Sequence, residues 1–167
     1  MPKVAETPVA APIILETLLA QIAADYPDLS FVESMRFSWH AGKRHVSYKK
    51  SAQNTIHDVF ALLHELGHAL LAHTDYVYDI ELLQLEVAAW DKARELAEQY
   101  GVDLDEDHVQ DCLDTYRDWL HLRATCPGCF ERCLQSSASH YHCWNCGTRW
   151  SVTRSRLCRP YRLQTAR

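Results

Sequence analysis

The chain has 167 residues, 47% of them hydrophobic and 23% charged, which is the composition of an ordinary globular protein. It holds no apolar run of the ~18 residues that a membrane-spanning helix needs and no clear secretory signal, so we expect a cytoplasmic protein without membrane partners. Residues 121–167 carry eight arginines and one acid, whereas residues 1–120 carry 21 acids, a division that predicts two domains with different partners.

Hydrophobic periodicity predicts an α+β fold for the first part of the chain. Residues 1–11 are rich in proline and small residues, which indicates a flexible leader. Apolar residues at helical spacing then predict four helices, near residues 12–25, 54–73, 80–100 and 106–122. Between the first two helices, partial alternation predicts two strands joined as a hairpin, over residues 30–39 and 43–50. We therefore expect one domain over residues 12–120 and a second, smaller one over residues 121–167.

The segment His64-Glu65-Leu66-Gly67-His68 lies in the middle of the second predicted helix. Two histidines four residues apart lie about 40° apart around a helix axis, so both imidazoles can hold a single zinc ion. Glu65 follows the first of them and is positioned to take a proton from an attacking water and return it to a leaving amine. The pattern predicts a catalytic zinc site with Glu65 as general base; the alternative is two coincidental histidines on a helix.

A catalytic zinc usually has three protein ligands, and the third must come from another element. His73 would lie roughly 140° further round the same helix than His68, which makes it a poor choice of ligand. Glu86 is the better candidate, because it falls in the middle of an apolar helix face and a buried carboxylate is costly unless it is paired or bound to metal. The alternative is an ion pair between Glu86 and an arginine in the core.

Three side chains near this motif could donate a hydrogen bond to a developing oxyanion. They are His40, Tyr76 and Tyr78. The simpler interpretation of each is an ordinary half-buried aromatic residue or a surface histidine.

Two Cys-x-x-Cys pairs predict a second zinc site near the end of the chain. They are formed by Cys126, Cys129, Cys143 and Cys146. Four thiolates complete a tetrahedral shell and leave no open position, so this zinc would be structural and would fold a small ribbon. His140 or His142 could replace a cysteine, but the regular spacing of the pairs favours the four thiolates. We expect the other cysteines to be free thiols: Cys112, Cys133 and Cys158.

Arginines and aromatic residues surround these cysteines. The arginines are Arg132, Arg149, Arg154, Arg156, Arg159, Arg162 and Arg167, and the aromatic residues are Tyr141, Trp144, Trp150 and Tyr161. Guanidinium groups bind phosphates and flat rings stack on exposed bases, so the ribbon is a candidate nucleic-acid-binding module. The alternative is that the basic tail contacts the acidic first domain or an acidic protein.

Residues 64–73, His-Glu-Leu-Gly-His-Ala-Leu-Leu-Ala-His, resemble the active-site helix of ImmA/IrrE-type metallopeptidases. In that family a metal-binding glutamate follows about twenty residues later with alanine and an aromatic residue close behind, which Glu86-Val87-Ala88-Ala89-Trp90 matches. The resemblance covers about residues 12–100. It implies a zincin-like metallopeptidase domain of helices and a small sheet, with His64, His68 and Glu86 holding the catalytic zinc.

The ribbon resembles a different family. Residues 141–147, Tyr-His-Cys-Trp-Asn-Cys-Gly, are similar to the second knuckle of SprT-like proteins, whose relatives cut proteins attached to DNA. Those proteins use a third histidine as metal ligand, and this chain has no histidine between His73 and His108.

These patterns together predict a zinc-dependent endopeptidase with one catalytic and one structural zinc. Its substrate would be a regulatory or nucleic-acid-associated protein, and the ribbon would direct it there. Two alternatives stay open: a SprT-like protease that acts on DNA-associated proteins, and a non-catalytic nucleic-acid-binding or adaptor protein.

Overall fold

The computed structural model describes residues 15–50, 54–153 and 162–165. Within these ranges the fold is mixed α+β, with two small sheets and four α-helices: α1 Leu15–Asp25, α2 Ile56–Leu70, α3 Asp79–Tyr100 and α4 Glu106–Ala124. The strands are β1 Ser30–Ser34, β2 Ser38–His40, β3 His45–Lys49, β4 Gln135–Ser137, β5 His140–His142, β6 Arg149–Val152 and β7 Arg162–Thr165. The predicted leader, Cys158, Tyr161 and the arginines at 154, 156, 159 and 167 lie outside the described residues.

The first sheet is not the simple hairpin that alternation predicted. The predicted strand over residues 30–39 is two strands, and the sheet order is β1-β3-β2. β2 pairs antiparallel with β3, as the hairpin requires, but β1 pairs with β3 in parallel on its other side. The break falls around Met35, whose side chain is 91% exposed. Alternation could not show this change of direction, because both strands keep the same spacing of apolar residues.

Helix α2 begins and ends at recognisable caps. Thr55 and Asp58 form a capping box at its start, which satisfies backbone N–H groups that lack helical partners. The predicted end at His73 is wrong, since the helix stops at Leu70 and Ala72 adopts a left-handed φ of 52°. That conformation turns the chain back on itself, so His73 does not continue the helix.

The long helices pack closely enough that only glycine fits at one crossing. A Cβ on Gly67 of α2 would lie 2.5 Å from the carbonyl oxygen of Ala89 on α3. Around this crossing a core of buried residues joins α1 to α4 and β3, including Ile22, Val46, Phe60, Leu63, Leu66, Trp90, Leu96 and Val109. The absence of a side chain at Gly67 therefore sets how near α3 comes to the histidines of α2.

The predicted end of α3 and start of α4 are confirmed. Gly101 caps α3 with a left-handed φ of 67°, and the carboxylate of Asp105 accepts a hydrogen bond from the backbone of Asp107 at the start of α4. Helix α4 runs to Ala124, two residues beyond its predicted end. Over the described ranges, every helix lacks the length or the apolar character that crossing a bilayer requires.

The segment after α4 folds around two equivalent turns and a second sheet. In each turn the first cysteine, Cys126 or Cys143, donates its backbone N–H to the carbonyl five residues later, at Glu131 or Thr148. The sheet order is β4-β5-β6-β7, all antiparallel. Its own small core consists of Cys126, Tyr141, Cys143, Trp150 and Val152. We call residues 125–153 with β7 the ribbon.

A buried polar junction joins the ribbon to the helices. Asp79, the first residue of α3, accepts two hydrogen bonds from Arg123 of α4, at 2.6 and 3.0 Å. Tyr141 of the ribbon donates its hydroxyl to the same carboxylate, and Gln135 accepts a hydrogen bond from the backbone N–H of Asp79. Arg123 also donates to the carbonyl of Thr153. We call these groups the Asp79 junction.

Candidate metal centres

One cleft gathers most of the candidate residues for the first metal site. Its volume is about 760 Å³, and its walls come from the β2 strand, the segment that follows it, α2, the loop after α2, α3 and α4. The wall includes Trp39, His40, His64, Glu65, His68, His73, Tyr76, Leu85, Glu86 and Tyr116.

Three potential ligand atoms meet at the wall of this cleft. The Nε2 atoms of His64 and His68 lie 3.1 Å apart. The Oε2 atom of Glu86 lies 3.1 Å from Nε2 of His64 and 3.6 Å from Nε2 of His68. His64 and Glu86 are 8% and 6% exposed. The structure thus brings together the three residues that the sequence predicted as ligands, from α2 and α3.

This triangle fits a metal ion. Nitrogen and oxygen ligands about 2.0–2.2 Å from a tetrahedral zinc lie about 3.3–3.6 Å from one another, close to the distances between these three atoms. Glu86 Oε2 is buried and has no hydrogen-bond partner among the described residues. A buried oxygen in that state is costly, and a bound cation would satisfy it. The alternative prediction, an ion pair of Glu86 with a core arginine, is not seen among the described residues, where the nitrogens closest to the Glu86 carboxylate are those of the two histidines.

Glu86 is held in its ionised form at this site. Burial alone would raise its pKa, but the proximity of His64 and His68 outweighs burial and holds the pKa of Glu86 far below its usual value. An ionised carboxylate beside two imidazoles is a common ligand set for zinc. The helix crossing at Gly67 and Ala89 produces it, because Glu86 lies about one turn before Ala89 on α3.

Glu65 points into the same cleft from the turn between the two histidines. Its Oε2 accepts a hydrogen bond of 2.6 Å from the backbone N–H of Trp39, at the edge of the first sheet. Trp39 lies in β2, the outer strand, and its N–H is available because β3 pairs with the other edge. The carboxylate of Glu65 is therefore oriented by the sheet rather than joined to Glu86 and the histidines.

Sequence reasoning missed the contact that His73 makes. It judged His73 a poor ligand because a continued helix would carry the side chain away, and His73 is not one of the three clustered residues. However, the turn at Ala72 brings Nδ1 of His73 within 2.8 Å of Nδ1 of His68. Burial, with a further contribution from His68, lowers the pKa of His73 and so disfavours its protonated form.

The candidates for oxyanion stabilisation divide between two places. His40 and Tyr76 line the cleft, as does Tyr116 of α4, which was not among the predicted site residues. Tyr78 instead lies at the N-cap of α3. The apolar pattern of α4 gave no sign that Tyr116 reaches the cleft.

The four predicted cysteines form a second cluster. The Sγ atoms of Cys126, Cys129, Cys143 and Cys146 all lie within 4.8 Å of one another. Cys126 and Cys146 are 3.6 Å apart, and Cys129 and Cys143 are 3.5 Å apart. Thiolates about 2.3 Å from a tetrahedral zinc lie about 3.8 Å apart, so these sulfurs also fit a metal ion. His140 and His142 are not part of the cluster.

Local donors favour the thiolate at two of the four cysteines, Cys126 and Cys146, whereas burial and neighbouring thiols raise the pKa of Cys129 and Cys143. Hydrogen bonds from Thr148 lower the pKa of Cys146 to about 6, and the backbone N–H of Gly128 lies 3.3 Å from Sγ of Cys126. Cys112 and Cys133, predicted as free thiols, form no disulfide.

Only part of the predicted basic, aromatic surface is available to a ligand. Tyr141 and Trp150 stack on each other in the ribbon core, with ring centroids 5.3 Å apart, and so cannot stack on bases. Trp144 is 84% exposed, and its ring lies 4.2 Å from that of His142. A groove of about 470 Å³ runs between Trp144 and Arg149.

Comparison with protein families, with curated proteins and with solved structures finds no match for this chain.

Proposed function

We propose that the chain is a zinc-dependent metallo-endopeptidase of the ImmA/IrrE type, with a zincin-like fold over residues 12–120. The observation that carries the proposal is the convergence of His64, His68 and Glu86 beside Glu65 in one cleft. The second zinc would be structural and held by the four cysteines of the ribbon. Free thiols in a metal-binding arrangement suit a reducing compartment, so we place the protein in the cytoplasm.

Peptide hydrolysis assigns a distinct task to each residue of this cleft. Zinc, when bound, polarises a carbonyl and lowers the pKa of water. His64, His68 and Glu86 would hold it from one side and leave the cleft side open to substrate. Glu65 would take one proton from the water that attacks the carbonyl carbon and give it to the amide nitrogen as the C–N bond breaks. The backbone N–H of Trp39 would keep the Glu65 carboxylate turned toward that water.

Glu65 is also what favours an enzyme over a purely structural metal site. A structural site needs ligands that complete the metal shell, as the four cysteines do. A carboxylate held 2.6 Å from a sheet N–H and facing the cleft adds nothing to such a site. The same carboxylate is the group that general-base catalysis requires.

The substitution Glu65→Gln tests this proposal. We expect the variant to keep two zinc ions per chain, because Glu65 is not a ligand, and to lose hydrolysis of casein and of a fluorogenic peptide library by at least ~100-fold. Glu98→Gln, at an exposed position on α3, is the control and should cleave like the wild type. Cleavage by Glu65→Gln at the wild-type rate would refute the role of Glu65.

We propose a second role for the ribbon, the binding of single-stranded nucleic acid. Trp144 and Arg149 border one groove, so a base could stack on the ring while the guanidinium contacts a phosphate. The rival explanation of the arginines is contact with the acidic part of the chain; Arg123 makes such a contact with Asp79, but it lies in α4 and is not one of the arginines around the cysteines. Arg149 is exposed, which suits an external ligand. Such binding would direct the peptidase to nucleic-acid-associated proteins.

Titration of labelled oligonucleotides against the full chain tests this role. We expect Trp144→Ala to weaken binding roughly tenfold or more, since stacking contributes about 1–3 kcal/mol per base. Affinity should fall steeply with added salt, with a slope of about 0.7 per phosphate contacted. Arg149→Gln should reduce that slope, whereas Arg44→Gln, an exposed arginine outside the ribbon, should not. No binding by the wild type at low salt would leave an acidic protein as the partner of the arginines.

A further inference from the structure

The turn after α2 has the geometry of a common helix end with an uncommon side-chain contact. The backbone N–H of His73 donates to the carbonyl of His68, and that of Ala72 donates to the carbonyl of Ala69, at 3.0 and 3.1 Å. These two bonds, with Ala72 left-handed, are those of a Schellman motif, in which the side chains at the positions of His68 and His73 usually form an apolar contact. Here that contact is polar, between two imidazole nitrogens 2.8 Å apart.

His73 is also fixed from its other side. The indole N–H of Trp39 donates a 2.9 Å hydrogen bond to the carbonyl of His73, and the backbone N–H of Trp39 donates to Glu65. One residue of β2 thus holds both the proposed general base and the backbone of His73. His73 is therefore fixed by two contacts, through its side chain to His68 and through its backbone carbonyl to Trp39.

The chemistry of a metal ligand decides which ring carries the proton between them. His68 faces Glu86 and His64 through Nε2, and a nitrogen that binds a metal offers a lone pair. Neutral His68 must then carry its proton on Nδ1, and Nδ1 of His73 must accept it. The other histidine differs, because Nδ1 of His64 is buried and has no hydrogen-bond partner among the described residues.

We propose that His73 is a positioning residue that accepts a hydrogen bond from Nδ1–H of His68 and so holds the Nε2 lone pair of His68 toward the metal. The proposal rests on the proposed function in one respect, that a metal binds at His64, His68 and Glu86. Hydrogen bonds of this kind orient a ligating ring, fix its tautomer and raise its basicity. Their loss typically lowers metal affinity 10–100-fold.

Two substitutions of His73 in the full chain separate this role from simple packing. His73→Leu keeps much of the volume but removes the acceptor, and His73→Asn keeps an acceptor oxygen near the position of Nδ1. We expect zinc affinity at the first site, measured by competition with a chromogenic chelator, to fall 10–100-fold in the leucine variant. The asparagine variant should retain most of the wild-type affinity. His57→Leu, an exposed histidine on the same helix, is the matched control and should bind like the wild type.

Zinc at the four cysteines serves as an internal check that each variant is folded. Equal affinity in the wild type and the leucine variant would overturn the proposal, as would an asparagine variant as weak as the leucine variant. A wild-type chain that binds zinc only at the cysteines would overturn the proposed function and this inference with it.

A measurement on the unsubstituted protein covers the case in which the leucine variant does not fold. Long-range ¹H–¹⁵N spectra of the zinc-loaded chain should show His68 protonated at Nδ1 and His73 unprotonated at Nδ1. A proton on Nδ1 of His73 would overturn the proposal without any substitution.

Discussion

At the scale of single residues, Glu86 is both buried and ionised, two properties that usually oppose each other. It lies on the face of α3 that packs into the core, yet it must remain charged to serve as a ligand. Two imidazoles keep it ionised, because their proximity outweighs the effect of burial on its pKa. A metal at this point would add a compensating charge to a carboxylate that is 6% exposed. Stability and metal binding are therefore linked through this one side chain.

Glu86→Ala should remove metal from the first site and leave it in the ribbon. Loss of a ligand is more severe than loss of an outer hydrogen bond, so we expect zinc affinity at the first site to fall by more than ~100-fold. Zinc content by atomic spectroscopy should drop from two ions per chain to one, and Glu98→Ala, exposed on the same helix, should keep both. Two ions in the Glu86 variant would show that the third ligand lies elsewhere.

The ligands were predictable because their chemistry is local. His64 and His68 lie one helical turn apart, and an isolated acid on an apolar face is conspicuous in any sequence. His73 was not predictable from helical periodicity, because its contact depends on a left-handed residue, Ala72, that is not the glycine usually found there. Only the fold shows that the helix ends before it.

At the scale of elements, the crossing of α2 and α3 positions the first site. Gly67 lies one residue before His68, and Ala89 lies three residues after Glu86. The backbones of α2 and α3 therefore meet within about one helical turn of both His68 and Glu86. A change in the separation of the two helices would change the distance between these two ligands.

Gly67→Ala should destabilise the protein and weaken the first metal site together. Alanine favours a helix over glycine by about 1 kcal/mol, but its Cβ would lie 2.5 Å from a backbone oxygen of Ala89, and overpacking of this kind costs about 1–3 kcal/mol. We expect a net loss of up to ~2 kcal/mol in urea unfolding, with reduced zinc affinity. Gly42→Ala is the control, since its Cβ would meet nothing within 4 Å. Unchanged stability and affinity in the Gly67 variant would mean that the helices separate freely.

The helices of the fold followed from the sequence more closely than the first sheet did. Periodicity located all four helices, and Gly101 and Asp105 marked where α3 ends and α4 begins. Periodicity could not distinguish a simple hairpin from a three-stranded sheet of order β1-β3-β2. The parallel pairing of β1 with β3 is set by tertiary contacts and leaves no local signal in the sequence.

At the scale of the whole molecule, the Asp79 junction makes the ribbon part of the structure that supports the first site. Asp79 begins the helix that carries Glu86, and its partners come from α4 and the ribbon. Arg123 is 1% exposed, whereas the sequence analysis had considered an unspecified core arginine as a partner for Glu86. The core arginine exists, but it pairs with a different acid of the same helix.

Asp79→Ala should cost far more than the loss of a surface ion pair. It leaves the charge of Arg123 buried without its carboxylate partner, and breaking a buried pair in this way costs about 3–5 kcal/mol. Asp91→Ala removes an exposed carboxylate that pairs with Arg94 and should cost at most about 1 kcal/mol. Denaturant unfolding of both variants, saturated with zinc, checks this difference. A loss below 1 kcal/mol for Asp79→Ala would show that the junction is solvated.

The spacing of the junction along the chain has a consequence for protein synthesis. Arg123 follows Asp79 by 44 residues, and Tyr141 follows it by 62. While the chain emerges from a ribosome, the histidines of α2 and Glu86 are therefore available before the groups that bury the first turn of α3. A nascent chain that ends before the ribbon would present that turn to water, and the enclosure of Asp79 would wait for the last part of the chain to be translated.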